Sequence, residues 1–163
     1  MPAAQDTIDQ AKAAYLQAKT SLCSTFAHTP DERLNWSPSP TARTPIQIVA
    51  HAAMAVQNIH QWMSGTPFHH KTTADADAAF RASEQKFHSR EQVLGFLDDV
   101  SANYLAWLDE LTPEHLESKV ELPFGLGSTP LENGLDAAPN HTRGHIAQLE
   151  YIHTIYGDHD WRL

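Results

Sequence analysis

His141 and His145 stand four residues apart in the run Asn140-His141-Thr142-Arg143-Gly144-His145-Ile146-Ala147-Gln148-Leu149. On a helix this spacing puts both imidazoles on one face, one turn apart. Two nitrogen donors on one turn are half of a transition-metal site. With eleven histidines in the chain, chance alone supplies about 0.7 such pairs, so the spacing gains weight only from its surroundings.

The surroundings supply a third imidazole. Residues 45–64 read as a helix that is apolar nearly all round, through Ile46, Ile48, Val49, Ala50, Ala52, Ala53, Met54, Ala55, Val56, Ile59 and Trp62. His51 interrupts it and shares a face with Ile48, Ala55 and Trp62, so it points inward. In the last helix Leu131, Leu135, Ala138, His145, Leu149, Ile152 and Tyr156 form the core stripe, with His141 at its flank. A single buried imidazole is ordinarily satisfied by a core hydrogen bond. Three of them with no obvious buried carboxylate call for a common partner, and a divalent cation takes a lone pair from each. Three histidines with an open fourth position form the catalytic rather than the structural pattern of metal binding.

Gln148 lies three residues beyond His145 and seven beyond His141, on the same face. Its amide reads equally as support for the metal or its ligand and as an interhelical hydrogen bond. Gln47 and Asn58 flank His51 with weaker claims. His60, His69, His70, His88, His115, His153 and His159 read as surface or loop residues. No side chain is identified as the catalytic group. Cys23 falls within a helical stripe, has no activating neighbour in the sequence, and reads as a small core filler.

The elements that position these residues announce their own starts. Thr29-Pro30-Asp31-Glu32, Thr44-Pro45-Ile46-Gln47 and Thr129-Pro130-Leu131-Glu132 each place Thr at the cap, Pro at the first helical position and Glu or Gln where it reaches back. Ser89-Arg90-Glu91-Gln92 is the same box without proline, and Thr112-Pro113-Glu114 starts a turn but lacks the returning partner. Long helices are expected over residues 5–27, 45–64, 90–111 and 130–156. Between the second and third lies a polar crossover, residues 66–88, with a helical piece near 74–86. Residues 117–128 read as an irregular excursion. Pro139, inside the last predicted helix, is expected to kink it just before His141. Four amphipathic helices without a strand pattern predict an all-α, four-helix bundle spanning residues 1–163 as a single domain.

Composition narrows the function classes. The formal charge of −9, with no basic cluster, disfavours nucleic acid and anionic membranes as partners. One cysteine allows no internal disulfide. Residues 1–6 lack the basic and apolar parts of a signal peptide, and no stretch is apolar enough to span a bilayer, so a cytoplasmic location is expected. Trp62, Phe68, Phe124 and Trp161 are candidates to line a homodimer interface or a pocket mouth.

The run from Thr44 to His60 with His51 inside it, the His141–Leu149 run, and Asp31-Glu32-Arg33-Leu34-Asn35-Trp36 together resemble the DinB-like superfamily over nearly the whole chain. That family has one ligand histidine on the second helix and an H-x3-H pair on the last, often followed by x-Gly-Gln. Here Ala147 stands where glycine is common. The resemblance implies a bundle of up-down-down-up topology with a long crossover after the second helix. It implies that His51, His141 and His145 bind one divalent transition metal, with zinc or nickel first and iron or manganese as alternatives. It also implies a small-molecule substrate and a low-molecular-weight thiol as partner. Three functions follow from different classes: a metal-dependent transferase, isomerase or hydrolase; a metal-binding or stress-response protein without catalysis; and a bundle whose histidines merely bond one another.

Overall fold

The computed structural model describes residues 4–160. Four long helices form the bundle: α1 Ala4–Ala27, α2 Pro45–Met63, α4 Arg90–Asp109 and α6 Ala137–Ile155, with α3 Thr73–Glu84 in the crossover and α5 Pro113–Glu117 a single turn. The capping boxes at Thr44 and Ser89 form as the sequence predicts, each side chain accepting from the third helical N–H while Gln47 or Gln92 returns to the cap. Thr112 forms one too, because His115 supplies the returning side chain through Nδ1. Each such cap is worth about 1 kcal/mol of helix stability. Gly65, at a φ of 91°, takes the left-handed turn that ends α2.

The direction of each helix follows from which of its ends shares a core cluster. One cluster joins the C-terminal part of α1 (Leu22, Phe26) to the N-terminal parts of α2 (Ile46 to Met54) and α4 (Val93, Leu97) and the C-terminal part of α6 (Leu149, Ile152). The other joins Ile8 and Tyr15 of α1 to Val56 and Met63, Tyr104 and Leu108, and Ala138. So α1 and α6 run one way and α2 and α4 the other, which is the up-down-down-up arrangement. α2 packs against both α4 and α6, and α1 packs chiefly on α6. Because α2 and α4 are parallel, the chain must travel the full bundle length between them, and residues 64–89 make that journey. Among the described residues no helix is long and apolar enough to cross a membrane.

Three expectations are corrected. Residues 117–128 are not wholly irregular, since Lys119–Glu121 (β1) and Ser128–Pro130 (β2) pair antiparallel, Val120 opposite Thr129. The last helix does not start at residue 130. Thr129 and Pro130 belong to β2, Leu131 N–H donates to Ser118 O at 2.8 Å, and Leu131–Gly134 form only a short 3-10 turn. Pro139 therefore does not kink the helix. It sits third in α6, in the first turn, where its missing N–H has no intrahelical partner to lose. Thr29-Pro30 opens the short helical turn expected after α1, Asp31–Arg33, but the Thr29 hydroxyl makes no capping bond there.

Candidate metal centre

α2 and α6 bring His51, His141 and His145 to one point. One ring nitrogen from each lies within 4.8 Å of the other two. Ring centroids are 5.5 Å apart for His51 and His141, 4.9 Å for His51 and His145, and 4.6 Å for His141 and His145. The start of α6 at Ala137, four residues before His141, leaves both of its histidines on unbroken helix, one turn apart and facing α2.

The partners of the outer nitrogens fix what the inner ones offer. His51 Nδ1 lies 2.8 Å from Glu84 Oε1, and His145 Nδ1 lies 2.9 Å from Gln148 Oε1. Both oxygens accept, so both Nδ1 atoms carry a proton, and in the neutral form of either ring it is Nε2 that offers the lone pair. His141 Nε2 and His145 Nε2 are 2.9 Å apart and share at most one proton between them. The cluster thus presents more lone pairs than donors toward its centre. Tetrahedral bonds of about 2.1 Å from nitrogen to a metal set ligand nitrogens roughly 3.4 Å apart. The separations here, 2.9 Å for the nearest pair and within 4.8 Å for all, bracket that value. The donor set fits a divalent transition metal.

Electrostatics agree. Burial pushes His141 down to about 4, with His51 and Arg43 adding to the effect. Burial also lowers His145 to about 4, although its bond to Gln148 works in the opposite direction. Both imidazoles are therefore neutral and able to donate a lone pair at ordinary pH.

Glu84 is the residue that sequence reasoning missed. The three histidines do have a buried carboxylate: Glu84 is 1% exposed, at the C-terminal end of α3. Its second oxygen accepts from Arg43 Nε at 2.8 Å, and Arg43 also donates to Asp77 Oδ1 at 2.8 Å. Burial pushes the Glu84 carboxyl up, but the bonds from His51 and Arg43 outweigh this and hold it below the usual range. The signal was present in the crossover: Ala76, Phe80 and Glu84 recur at four-residue spacing, and the Phe80 ring meets His51 edge-on at 4.9 Å.

Other candidates are placed elsewhere. Gln148 makes no interhelical bond; it is exposed and turns back one turn to His145. Gln47 is spent on its capping box, and Asn58 donates to Met54 O. Cys23 is half-buried, and burial raises its thiol above the ordinary value. His153, expected at the surface, is 3% exposed and bonds Thr29 Oγ1 through Nε2 at 3.0 Å. Trp62, Phe68 and Phe124 line one groove of about 700 Å³ that includes none of the three histidines, while Trp161 lies outside the described residues.

The chain matches no curated protein in sequence. Its fold matches solved structures closely. YfiT from Bacillus subtilis, described as a probable metal-dependent hydrolase with an unusual four-helix bundle topology, aligns with a TM-score of 0.72 at 19% identity over 95% of this chain and 90% of that one. DfsB, described as a sibling lethal factor precursor, aligns at 0.73 and 14% identity over 92% and 96%. A mycothiol-dependent maleylpyruvate isomerase aligns at 0.69 and 12% identity over 87% of this chain, which spans 60% of that protein. At these identities the likenesses establish fold alone. Family follows from the sequence itself, in which residues 8–149 match the family pattern: the chain belongs to the DinB superfamily.

Proposed function

We propose that this protein is a metal-dependent enzyme acting on a small electrophilic molecule, with His51, His141 and His145 as ligands to one divalent transition metal. The observation that carries this reading is the convergence of three ring nitrogens within 4.8 Å, drawn from two helices. When bound, such an ion supplies Lewis acidity, which makes a nucleophile of a thiol or of water near neutral pH. Three neutral imidazoles cancel none of the ion's charge, and they leave a coordination position free for substrate. The chain's own contribution is to hold three imidazoles in place, with burial keeping His141 and His145 neutral. Zinc and nickel suit imidazole ligands best, with iron or manganese as further candidates.

A low-molecular-weight thiol as co-substrate is favoured by two points. Cys23 offers no accessible, activated thiolate, so a sulfur nucleophile would come from outside the chain. A structural neighbour is described as mycothiol-dependent. A second reading, metal binding without catalysis, draws on DfsB, a neighbour whose description names no enzymatic activity.

Elemental analysis of protein purified without a histidine tag, followed by thiol-transfer and hydrolysis assays on the zinc- and nickel-loaded forms, tests both. One bound ion per chain with turnover is expected. One ion without turnover leaves the second reading, and no retained metal overturns both.

A further inference from the structure

Three histidines hold the proposed ion, but among the described residues only His51 comes with a carboxylate, and that carboxylate belongs to neither ligand-bearing helix. α3 supplies it. This helix has twelve residues, yet only Ala76 and Glu84 are buried along it. Its apolar anchorage comes chiefly from Ala76 and from Phe80, which is partly buried against the main core cluster. α3 is also held by polar contacts, one to α2 and two to the segment just before it: His51 Nδ1 to Glu84 at 2.8 Å, Arg43 Nη2 to Asp77 at 2.8 Å and Arg43 Nε to Glu84 at 2.8 Å. Phe80 and Glu84, one turn apart, are the two α3 side chains that reach the histidine cluster through His51.

We propose that Glu84 is a positioning residue that couples metal loading to the docking of the crossover helix, so that α3 closes more firmly when the ion is present and the ion binds more tightly when α3 is docked. The inference rests on the metal-ligand reading above. Its physical basis is the two-ended chemistry of His51. Holding the Nδ1 proton on Glu84 commits Nε2 to its lone-pair form and fixes the ring's rotation toward the cluster. Drawing electron density out through Nε2 makes Nδ1–H a better donor to a carboxylate. Each event strengthens the other, and thermodynamic reciprocity requires the two effects to be equal in size. Arg43 sets the pose of the carboxylate: it occupies the second oxygen, so Glu84 meets His51 with one oxygen only.

The position of α3 makes it the natural partner for such coupling. Its hydrogen bonds to α2 are few and only two of its twelve residues are fully buried, the features of a segment that opens locally before the bundle does. The other two ligands stand on α6, whose stripe from Ala138 to Ile152 is buried against α1 and α2 and has no such freedom.

The test uses the full chain, metal-free and zinc-loaded, with three measurements. The first is zinc affinity by competition titration for the wild type, Glu84→Gln, Glu84→Leu and His145→Ala. The second is amide hydrogen exchange across residues 73–84 with and without zinc. The third is the tautomer of His51 in metal-free protein by nitrogen NMR. Glu84→Leu, which removes the acceptor, is expected to weaken zinc binding about ten- to a hundredfold. Glu84→Gln retains an oxygen acceptor and is expected to recover part of that loss. Zinc should slow exchange in residues 73–84 of the wild type, and this slowing should shrink in the Leu variant. The Leu variant should also lose its preference for the Nδ1–H tautomer, a readout that general destabilisation does not move. Wild-type protein that fails to bind zinc defeats the underlying ligand reading and this proposal with it. Zinc binding that His145→Ala abolishes but Glu84→Leu leaves within twofold defeats this proposal alone. If the Leu variant does not fold, exchange in wild-type residues 73–84 that zinc leaves unchanged is sufficient to overturn it.

Discussion

The last long helix buries two histidines eight residues apart, and they end in different chemistry. His145 is 6% exposed and His153 is 3% exposed, so burial does not separate them. Their neighbours do. Around His145 two other imidazoles, from its own helix and from α2, turn nitrogen toward the same point. His153 instead meets the hydroxyl of Thr29, from the turn after α1, and packs beside the ring of Tyr156 at 5.5 Å. One histidine joins a surplus of lone pairs, while the other is matched by a hydroxyl that both donates and accepts. A candidate ligand is recognised by what converges on it rather than by how deeply it lies.

The largest effect that tests this contrast is metal retention. His145→Ala should abolish stoichiometric binding of zinc or nickel, while His153→Ala should keep it, even though both remove a buried imidazole. Isothermal titration with each ion reads this directly. A thermal shift gives a second view, since an ion present at a thousand times its dissociation constant stabilises the native state by about 4 kcal/mol, and the gain should vanish only in the His145 variant. Equal loss of binding in both variants would erase the distinction.

The pH response of the metal-free protein should be smaller, and its sign is fixed. His141 and His145 titrate at about 4 in the folded chain and at 6.5 in an ordinary setting, because burial disfavours the charged form. Between those values the unfolded chain binds more protons than the folded one, so stability is full above pH 6.5 and declines as pH falls toward 4. By pH 5, where most carboxylates are still ionised, the expected loss is roughly 2 kcal/mol per histidine. Urea unfolding of chelator-treated protein at pH 7.5 and 5 measures it. The double variant His141→Gln with His145→Gln should flatten the curve, and a wild-type curve that is already flat would mean the imidazoles are not held neutral by burial.

The same contrast explains what the sequence made legible. The inward stripe of α2 exposed His51 because a lone titratable group in an apolar helix is conspicuous. The i,i+4 pair placed His141 and His145 together because helical geometry is local. The capping boxes at Thr44 and Ser89 fixed two helix starts for the same reason. Glu84 and His153 escaped because their roles depend on partners 33 and 124 residues away in the chain. The box at Thr129 misled because strand pairing to Ser118 and Lys119 outbid a local signal. Pro139 was read against a helix begun too early; once β2 claims residues 128–130, the proline marks a first turn rather than a kink.

The smallest expected effect probes the buried histidine that lies outside the cluster. Thr29 is 1% exposed, and its hydroxyl sits 3.0 Å from His153 Nε2. Thr29→Val keeps the side chain's shape and β-branching while withdrawing the hydroxyl from a buried imidazole nitrogen. The loss should be about 1–3 kcal/mol, the cost of taking one partner from a buried polar group. For a chain of this size that is a fall of about 2–4 °C in melting temperature per kcal/mol. Zinc affinity should stay within twofold, because neither residue touches the cluster on α2 and the first half of α6. A variant that loses stability and keeps its metal places His153 in the architecture. One that loses metal as well would show that the two halves of α6 act as a single site, and the contrast between them would fail.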